Sequence, residues 1–330
     1  MNFARNPLVV AEIGNNHEGS FDLASEMVEK AALSGVDAVK FQTFQTGKLT
    51  TILDKKRTAQ LSKFQLTYEQ FERLARLCNE NNVVFLSTPF DLESVDFVAE
   101  KAPAIKISSG DNMYFQLIER AARKQMPLIL STGLISEKEL EEVVSFIYSI
   151  WDSEGERPHL ALLHCVSAYP TPAKEANLAA IKNLRKWTPL IGYSDHTIGI
   201  DCAMAAFILG AKIIEKHFTL AHDLSSFRDH ALSATPDEMK ELTRKLTAIS
   251  ESLGSGDIQT EECEIPNISS LRRSITAASH LNKGHLVTGI DLIAVRPGGG
   301  LQPGNENRLI GHKLLRECQT GEMITSDMVK

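Results

Sequence analysis

A short apolar stretch near residue 214 ends in three titratable side chains. Ile213 and Ile214 have the character of a buried β-strand, and Glu215, Lys216 and His217 follow them without a break. Charged groups are costly to bury without partners, so such a run is either a surface accident or part of a site. A site is indicated if other strands of the chain end in the same way.

Seven further apolar stretches also end in polar residues. The residues at the eight ends are Glu12, then Lys40 with Gln42, Ser87 with Thr88, Lys106 with Ser108, Ser109 and Asp111, Ser131 with Thr132, His164 with Ser167 and Tyr169, Ser194 with Asp195 and His196, and Glu215 with Lys216 and His217. In a closed parallel barrel these ends converge on the one face where active sites of that fold lie. The sequence therefore predicts a ring of polar side chains around a site.

The elements that must position this ring alternate along the chain. The predicted strands are 8–14, 38–43, 83–89, 104–110, 127–133, 160–165, 190–195 and 212–218. The predicted helices are 21–34, 67–81, 91–100, 115–124, 136–150, 176–186, 199–209 and 236–252. Eight such units over about 250 residues predict an α/β fold, a (β/α)8 TIM barrel. An open doubly wound sheet is the alternative, but the first strand lacks the glycine-rich dinucleotide loop typical of that fold.

Composition changes after the last predicted helix. We expect residues 1–252 to form the barrel and 253–267, which is polar with Gly, Pro and acidic residues, to be a linker. Residues 268–330 contain short apolar pieces around the turn sequence RPGGG, and we expect a small β-rich domain there.

Lysines and hydroxyls dominate one part of the ring. Lys40 and Lys106, and with them Lys216, lie within strands, next to the hydroxyls of Ser87, Thr88, Ser109, Ser131 and Ser194. A buried lysine needs a partner, and lysines among hydroxyl donors form a pocket for a phosphate or carboxylate. The alternative is that internal acids such as Glu12 and Glu215 simply neutralise the lysines. The residues alone leave both interpretations open.

Two histidines mark another part of the ring. His196 and His217 follow neighbouring predicted strands, with Asp195, Glu215 and Asp229 near them in the chain. Imidazoles with a few oxygens suit Mn²⁺, Fe²⁺, Co²⁺ or Zn²⁺ better than Ca²⁺. The alternative is a pair of hydrogen-bonded core histidines, and spacing does not decide between the two.

Composition excludes several classes of function. The formal net charge is −7, without a long basic run, so nucleic acid and anionic membranes are not expected partners. Five scattered cysteines, without a CxxC pair, are typical of reduced thiols rather than a disulfide framework. No apolar run reaches transmembrane length, and the N-terminal apolar stretch is too short for a signal sequence. We expect a soluble cytoplasmic enzyme.

At the same residues the sequence resembles the sialic acid synthase family, which includes N-acetylneuraminate, legionaminate and pseudaminate synthases. The strings that carry the resemblance are AEIGNNHEG, KFQT, STPFD, KISSGD, LSTG, HCVSAYPTP, GYSDHTIG, EKHFT and RPGGG, in order over nearly the whole chain. The resemblance implies a TIM barrel followed by a small antifreeze-like (SAF) domain. It also implies condensation of phosphoenolpyruvate (PEP) with an N-acetylmannosamine-type or 2,4-diacetamido sugar aldehyde, which gives a nine-carbon 2-keto acid and phosphate.

The resemblance also implies roles for single residues. The PEP ligands would be Lys40, Thr88, Lys106, Ser109, Ser131 and Ser194. The metal ligands would be His196 and His217, holding Mn²⁺ or alternatively Mg²⁺ or Co²⁺, and the sugar ligands Gln42, Tyr169, Asp229 and Arg296. Arg296 would reach in from the small domain of a partner subunit, in a homodimer with exchanged SAF domains.

Two residues depart from the family pattern. Asp111 stands where sialic acid synthases have Glu, and Ser167 stands where they commonly have Asn. The shorter Asp111 either moves the carboxylate or fits a different sugar, so the acceptor stays open.

The chemistry predicted from these parts is metal-assisted. A divalent ion acts as a Lewis acid on the aldehyde, C3 of PEP attacks, water adds at C2 and phosphate leaves. Glu215 or Asp111 could handle the proton of that water, and His196 and His217 complete the catalytic set.

The alternatives are a PEP-dependent synthase of a shorter 3-deoxy-ulosonic acid from a phosphorylated sugar, and a non-catalytic carbohydrate-binding protein. The former needs extra basic residues, and the cluster Lys48, Lys55, Lys56 and Arg57 is more typical of a solvated face.

Overall fold

Eight parallel strands close into a barrel in the first part of the chain. The structure, a computed structural model, describes residues 7–330. The chain divides into two units, Met1–Gly254 and Ser255–Lys330. Within the described residues no helix is both long and apolar enough to cross a membrane.

The barrel strands follow one another around the barrel in sequence order, and β8 pairs with β1 to close it. The strands are β1 (Leu8–Gly14), β2 (Ala38–Thr43), β3 (Val84–Pro89), β4 (Ile105–Ile107), β5 (Leu128–Ser131), β6 (Leu160–Cys165), β7 (Leu190–Asp195) and β8 (Ile213–His217). The predicted (β/α)8 barrel is confirmed.

The crossover helices lie outside the strands. They are α1 (Phe21–Leu33), α2 (Thr46–Leu49), α3 (Lys55–Phe64), α4 (Tyr68–Glu80), α5 (Leu92–Lys101), α6 (Phe115–Ala122), α7 (Glu137–Glu154), α8 (Asp201–Ile208) and α9 (Pro236–Leu253). Capping boxes begin α4, α7 and α9, where the side chains of Thr67, Ser136 and Thr235 accept from the third helical backbone N–H.

Two segments differ from prediction. The expected helix 176–186 is a 3₁₀ helix over Leu178–Lys186, preceded by Asn177 in the left-handed conformation. Helices α2 and α3 were not predicted, because their residues read as a polar loop. Asp54 caps α3 by accepting from the backbone N–H of Arg57, and Leu61 and Phe64 of α3 are buried.

Side-chain alternation along the strands builds the interior in two layers. The lower layer is apolar: Val10, Ala38, Leu86, Ala104, Ile129, Ala161, Leu163 and Ile213 form one cluster. Two residues further along β1, β2, β3 and β8 stand Glu12, Lys40, Thr88 and Glu215, because residues i and i+2 of a strand share a face. The polar ring therefore packs directly against an apolar layer inside the barrel.

Gly192 in β7 is required by this crowding. A Cβ atom at position 192 would lie 2.2 Å from the Leu163 side chain and 2.6 Å from the Ile213 carbonyl oxygen. Strand β7 therefore leaves space for its neighbours in the lower layer and contributes its first inward-pointing polar group at Ser194.

The second unit has its own small core. It contains the short helix α10 (Ile268–Leu271) and the antiparallel strands β9 (Ser274–Ala277) and β10 (Leu292–Val295). Its buried apolar side chains include Ile275, Val287, Leu309, Leu314 and Ile324. The predicted linker 253–267 contains the end of α9 and a 3₁₀ helix over Glu262–Asn267.

Candidate active site

A cavity of about 400 Å³ opens at the carboxyl ends of the barrel strands. Of the residues predicted for the site, those on its wall are Lys40, Gln42, Thr88, Lys106, Ser109, Ser131, Tyr169, Ser194, His196, Glu215, His217 and Asp229. Residues from all eight βα units contribute, as expected for an active site on this face of a barrel.

Four charged side chains of alternating sign form the floor. Lys40 Nζ lies 2.7 Å from a Glu12 oxygen and 3.7 Å from a Glu215 oxygen, and Lys106 Nζ lies 3.5 Å from Glu215. All four residues are at most 5% exposed. Each charge has an opposite partner, so the internal acids do pair with the lysines.

Burial and neighbouring charges push the two acids in opposite directions. Burial raises the pKa of Glu12, aided by repulsion from Glu215 and opposed by Lys40. Burial also opposes ionisation of Glu215, but Lys106, Lys40 and a hydrogen bond from Ser194 outweigh it and lower the Glu215 pKa to about 2. Glu215 is therefore the carboxylate that stays ionised, and Glu12 is the one whose charge is held less firmly.

The pKa values of the two lysines are also shifted in opposite directions. Burial disfavours the charge of Lys40, but attraction to Glu12 and Glu215 is stronger and raises the pKa of that ammonium. For Lys106 burial dominates, with repulsion from Lys40 adding to it, and the pKa is lowered. A bound anion would stabilise the charged form of Lys106 most, because that lysine is the less well compensated of the two.

Hydroxyl groups surround the lysines. Thr88 Oγ1 accepts from Lys40 at 3.1 Å, and Ser194 donates to Glu215 at 2.8 Å. Ser109 Oγ accepts from the backbone N–H of Gly133 at 3.1 Å. Ser131 Oγ is buried and has no hydrogen-bond partner among residues 7–330. A buried hydroxyl without a partner is uncommon in proteins and indicates a position where a ligand supplies the missing bond.

Gly133 allows these hydroxyls to converge. A Cβ atom there would lie 2.5 Å from Ser167 Oγ, 2.7 Å from Ser109 Oγ and 2.8 Å from Cys165 Sγ. The turn after β5 is held by Asn112, whose side-chain amide donates to the carbonyls of Ser131 and Gly133 at 3.2 and 2.7 Å. Only glycine lets the backbone approach this group so closely.

The two histidines lie side by side on the wall. Their ring centroids are 5.3 Å apart. His196 Nδ1 donates to the Val166 carbonyl at 2.8 Å, which leaves Nε2 as the lone-pair nitrogen. His217 Nδ1 is buried without a hydrogen-bond partner in the described part of the chain. Burial lowers the pKa of both imidazoles, so both are neutral, the form that binds metals.

Two neutral imidazoles this close together could hold a divalent cation at an open site. His196 and His217 would each supply one imidazole nitrogen, and the remaining positions would fall to water or substrate oxygens. No group of three or more His, Cys, Asp or Glu side chains within residues 7–330 could hold a metal ion by itself. Any metal here would therefore keep open positions.

Aromatic and basic groups form the mouth. The Tyr169 ring lies 4.3 Å from the His196 ring, and the Arg228 guanidinium lies 5.1 Å from the Tyr169 ring. Arg228 and Asp229 stand on a 3₁₀ helix over Arg228–Leu232, and burial raises the pKa of Asp229. Arg57 reaches the same cavity from α3.

Three side chains differ from what the sequence suggested: Asp111, Asp195 and Lys216. Asp111 is not among the residues that line the cavity, and its carboxylate accepts from Ser108 at 2.6 Å. Arg296 lies where the sequence placed it, exposed after β10 in the second unit, and its role in the site of a partner subunit stays a prediction. Lys216 and Asp195 were grouped with the anion and metal ligands, but they form an ion pair with each other on the other side of their strands.

Arg57 and Arg228 were not identified as site residues from the sequence. Arg57 was assigned to a solvated face, and the contact that places it at the cavity depends on packing of α3. The rings of Phe64 and Phe227 are 5.0 Å apart and join α3 to the loop that carries Arg228. No signal within either segment alone reveals this contact.

Comparisons with known proteins give a consistent result. A family model described as the NeuB family matches residues 27–258. The N,N'-diacetyllegionaminic acid synthase of Campylobacter jejuni is 34% identical over 96% of this chain and 98% of its own length. The enzyme of the same name from Legionella pneumophila is 35% identical over 95% and 92%. Among solved structures, the N-acetylneuraminic acid synthetase of Leptospira borgpetersenii, crystallised with citrate, matches with a TM-score of 0.74 and 32% identity over 80% of this chain and 90% of that one.

Proposed function

This chain belongs to the NeuB family and is a synthase of the sialic acid type, and from that premise we propose that it condenses PEP with an amino-sugar aldehyde. The acceptor is of the N-acetylmannosamine or 2,4-diacetamido type, and the products are a nine-carbon 2-keto acid and phosphate. The observation that carries the proposal is the cavity itself, which is lined by two buried lysines and by the Ser131 hydroxyl, a group without a hydrogen-bond partner among residues 7–330.

PEP is assigned to this floor. Lys40 and Lys106 supply charge, and Thr88, Ser109, Ser131 and Ser194 supply hydroxyl hydrogen bonds to phosphate and carboxylate oxygens. Because Glu12 and Glu215 already offset the lysines, PEP binding depends on directed hydrogen bonds and on Lys106, whose charge is the less well compensated.

The sugar is assigned to the outer half of the cavity. Gln42, Tyr169 and Asp229 line it there, and Gln42 is held by hydrogen bonds with Glu12 and Asn15. Arg296 of a partner subunit is proposed to complete the site in a homodimer. Arg57 and Arg228 also line the cavity, and their positive charges would bind an acidic substituent on the acceptor, such as the phosphate of a phosphorylated sugar.

A divalent ion, Mn²⁺ in the first instance, would be held by His196 and His217 and would polarise the aldehyde oxygen. The protein residues hold C3 of PEP against the aldehyde carbon, and this alignment supplies much of the rate. C3 forms a bond to the aldehyde carbon, water adds at C2, and one proton of that water balances the proton that the aldehyde oxygen takes up to become a hydroxyl. The new C2–OH then loses its proton to the departing phosphate as the bond between C2 and the phosphate oxygen breaks, which gives the keto acid and inorganic phosphate.

Glu215 is the proposed acceptor of the proton from the attacking water. It lines the cavity in its ionised form, whereas Asp111 lies outside the lining. Asp111 instead holds Ser108, which is on the wall, and through it shapes the turn after β4. We therefore expect the Asp found here in place of Glu to affect the conformation of the loop after β4 rather than proton transfer.

Phosphate release from PEP tests the proposal. The purified chain with Mn²⁺ is given N-acetylmannosamine, a 2,4-diacetamido sugar, a phosphorylated N-acetylmannosamine or no acceptor. We expect release only when an acceptor is present, with the best acceptor identified by kcat/KM. Release at the same rate without acceptor, or none with any acceptor, contradicts the proposal.

A further inference from the structure

A buried ion pair stands directly behind the two histidines. Lys216 Nζ lies 3.0 Å from Asp195 Oδ2, and the side chains are 1% and 0% exposed. Asp195 and Lys216 are paired in register at the ends of β7 and β8. Successive residues of a strand face opposite sides, so the pair points away from the cavity. His196, which directly follows β7, and His217, the last residue of β8, line the cavity.

The pair brackets His196 from both sides. Besides Asp195, Lys216 Nζ donates to the carbonyl of Thr197. The other Asp195 oxygen accepts from the Thr197 backbone N–H at 2.8 Å and from its hydroxyl at 2.7 Å. The residues on either side of His196 are therefore tied to a single ammonium that belongs to the strand of His217.

A buried ion pair does not by itself indicate a gain in stability. Removing two charges from water is costly, and buried ion pairs can often be replaced by apolar residues of similar volume without loss of stability. What the pair adds is a fixed relation between two strand ends. His217 depends on that relation most, since its Nδ1 has no hydrogen-bond partner among the described residues to hold the ring.

We propose that the Asp195–Lys216 pair is a positioning device that fixes the separation and orientation of the His196 and His217 rings for metal binding. The inference rests on the proposed metal site at those histidines. Residues that orient metal ligands without touching the ion commonly change metal affinity by about 10–100-fold.

The test uses the double variant Asp195→Leu with Lys216→Met, because either single change leaves an uncompensated buried charge. Asp195→Asn with Lys216→Met, which keeps an amide oxygen for Thr197, is the second variant should the first fail to fold. The matched control is Glu72→Leu with Lys101→Met, which removes a Lys–Glu pair of 2.8 Å on the barrel exterior. His217→Ala defines the loss of the metal site itself.

Two quantities are measured on each full-length protein: the Kd of Mn²⁺, by the electron paramagnetic resonance signal of free Mn²⁺, and the stability, by fluorescence of Trp151 and Trp187 in urea. We expect the Asp195/Lys216 variant to fold with reduced stability, because the buried polar groups of Thr197 lose their partners, and to bind Mn²⁺ about 10–100-fold more weakly, with no change in the control. A wild-type Kd in that variant, or equal weakening in the control, overturns the positioning role alone. Absence of Mn²⁺ binding by the wild type, or wild-type binding by His217→Ala, overturns the metal site and the inference with it.

Discussion

The ammonium of Lys40 lies 2.7 Å from the carboxylate of Glu12, and both groups are buried at the floor of the cavity. This contact has two explanations with different consequences. Lys40 either neutralises Glu12 and has no other task, or it is held in place by Glu12 for an anionic substrate. Substituting both members of the pair separates the two.

The variant Lys40→Met with Glu12→Gln removes both charges and keeps most of the side-chain volume. We predict that PEP binds this variant about 10–100-fold more weakly, the loss expected for a hydrogen bond to a charged group. The measurement is the Kd of PEP by calorimetry, which does not depend on turnover. Glu12→Gln alone is the control, and we expect it to bind PEP at least as tightly as the wild type. Wild-type affinity in the double variant would show that Lys40 only neutralises Glu12.

Arg57 and Arg228 at the mouth are predicted to attract PEP into the cavity. The chain carries a net charge of −7, so a local positive field at the mouth opposes general repulsion of an anion. Arg57→Gln should lower kcat/KM for PEP roughly two- to fivefold at low salt and flatten its decrease with ionic strength. The exposed Arg244 on α9 offers a control, Arg244→Gln, for which no change is expected. An unchanged salt dependence in Arg57→Gln would refute the attraction.

His17 is predicted to make folding sensitive to mild acid. Its ring is buried, its Nδ1 accepts from the Gly19 N–H at 3.0 Å, and burial lowers its pKa to about 4. Between about pH 6.5 and pH 4 the unfolded chain binds a proton at this residue and the folded chain does not. Stability therefore falls as pH decreases through that window, by about 3 kcal/mol in total, and this contribution is constant outside it.

The variant His17→Asn isolates this contribution, because asparagine retains an acceptor near the position of Nδ1. The free energy of unfolding in urea, followed by fluorescence of Trp151 and Trp187 at several pH values, should vary less in the variant than in the wild type. Identical pH dependence in the two proteins would mean that other groups cause the acid sensitivity.

Arg296 is predicted to act in the site of a partner subunit. Subunits carrying Arg296→Ala are mixed with subunits carrying His217→Ala, each pure variant being inactive. A heterodimer then has one intact site, and random exchange should restore roughly a quarter of wild-type activity. No recovery, from subunits shown by mass spectrometry to exchange, would place the arginine in its own chain's site.

Sequence patterns predicted the barrel and most of the cavity wall. The barrel follows from apolar strands that alternate with helical segments, and the wall follows from the polar residues at the strand ends. The end of such a strand can be located where the apolar residues give way to polar ones. Seven of the predicted crossover helices are α-helices in the structure. The inward ring at Lys40, Lys106, Ser194 and Glu215 follows from strand periodicity on one face.

The remainder depends on contacts between distant segments. Arg57 reaches the mouth because α3 packs its Phe64 against Phe227, more than 150 residues away in the chain. Lys216 could have been assigned correctly, since a residue between Glu215 and His217 must face the other side of β8. Its partner Asp195 could not, because strand register is a property of the folded sheet.

Condensation of PEP with an amino-sugar aldehyde gives two products, and a single experiment follows both of them at once. Purified protein is incubated with Mn²⁺, PEP and the best acceptor, phosphate is measured by colorimetry, and the organic product is analysed by mass spectrometry. We predict one phosphate for each molecule of a keto acid whose mass equals acceptor plus PEP plus water minus phosphoric acid. Phosphate release that yields pyruvate and unchanged sugar would contradict the account.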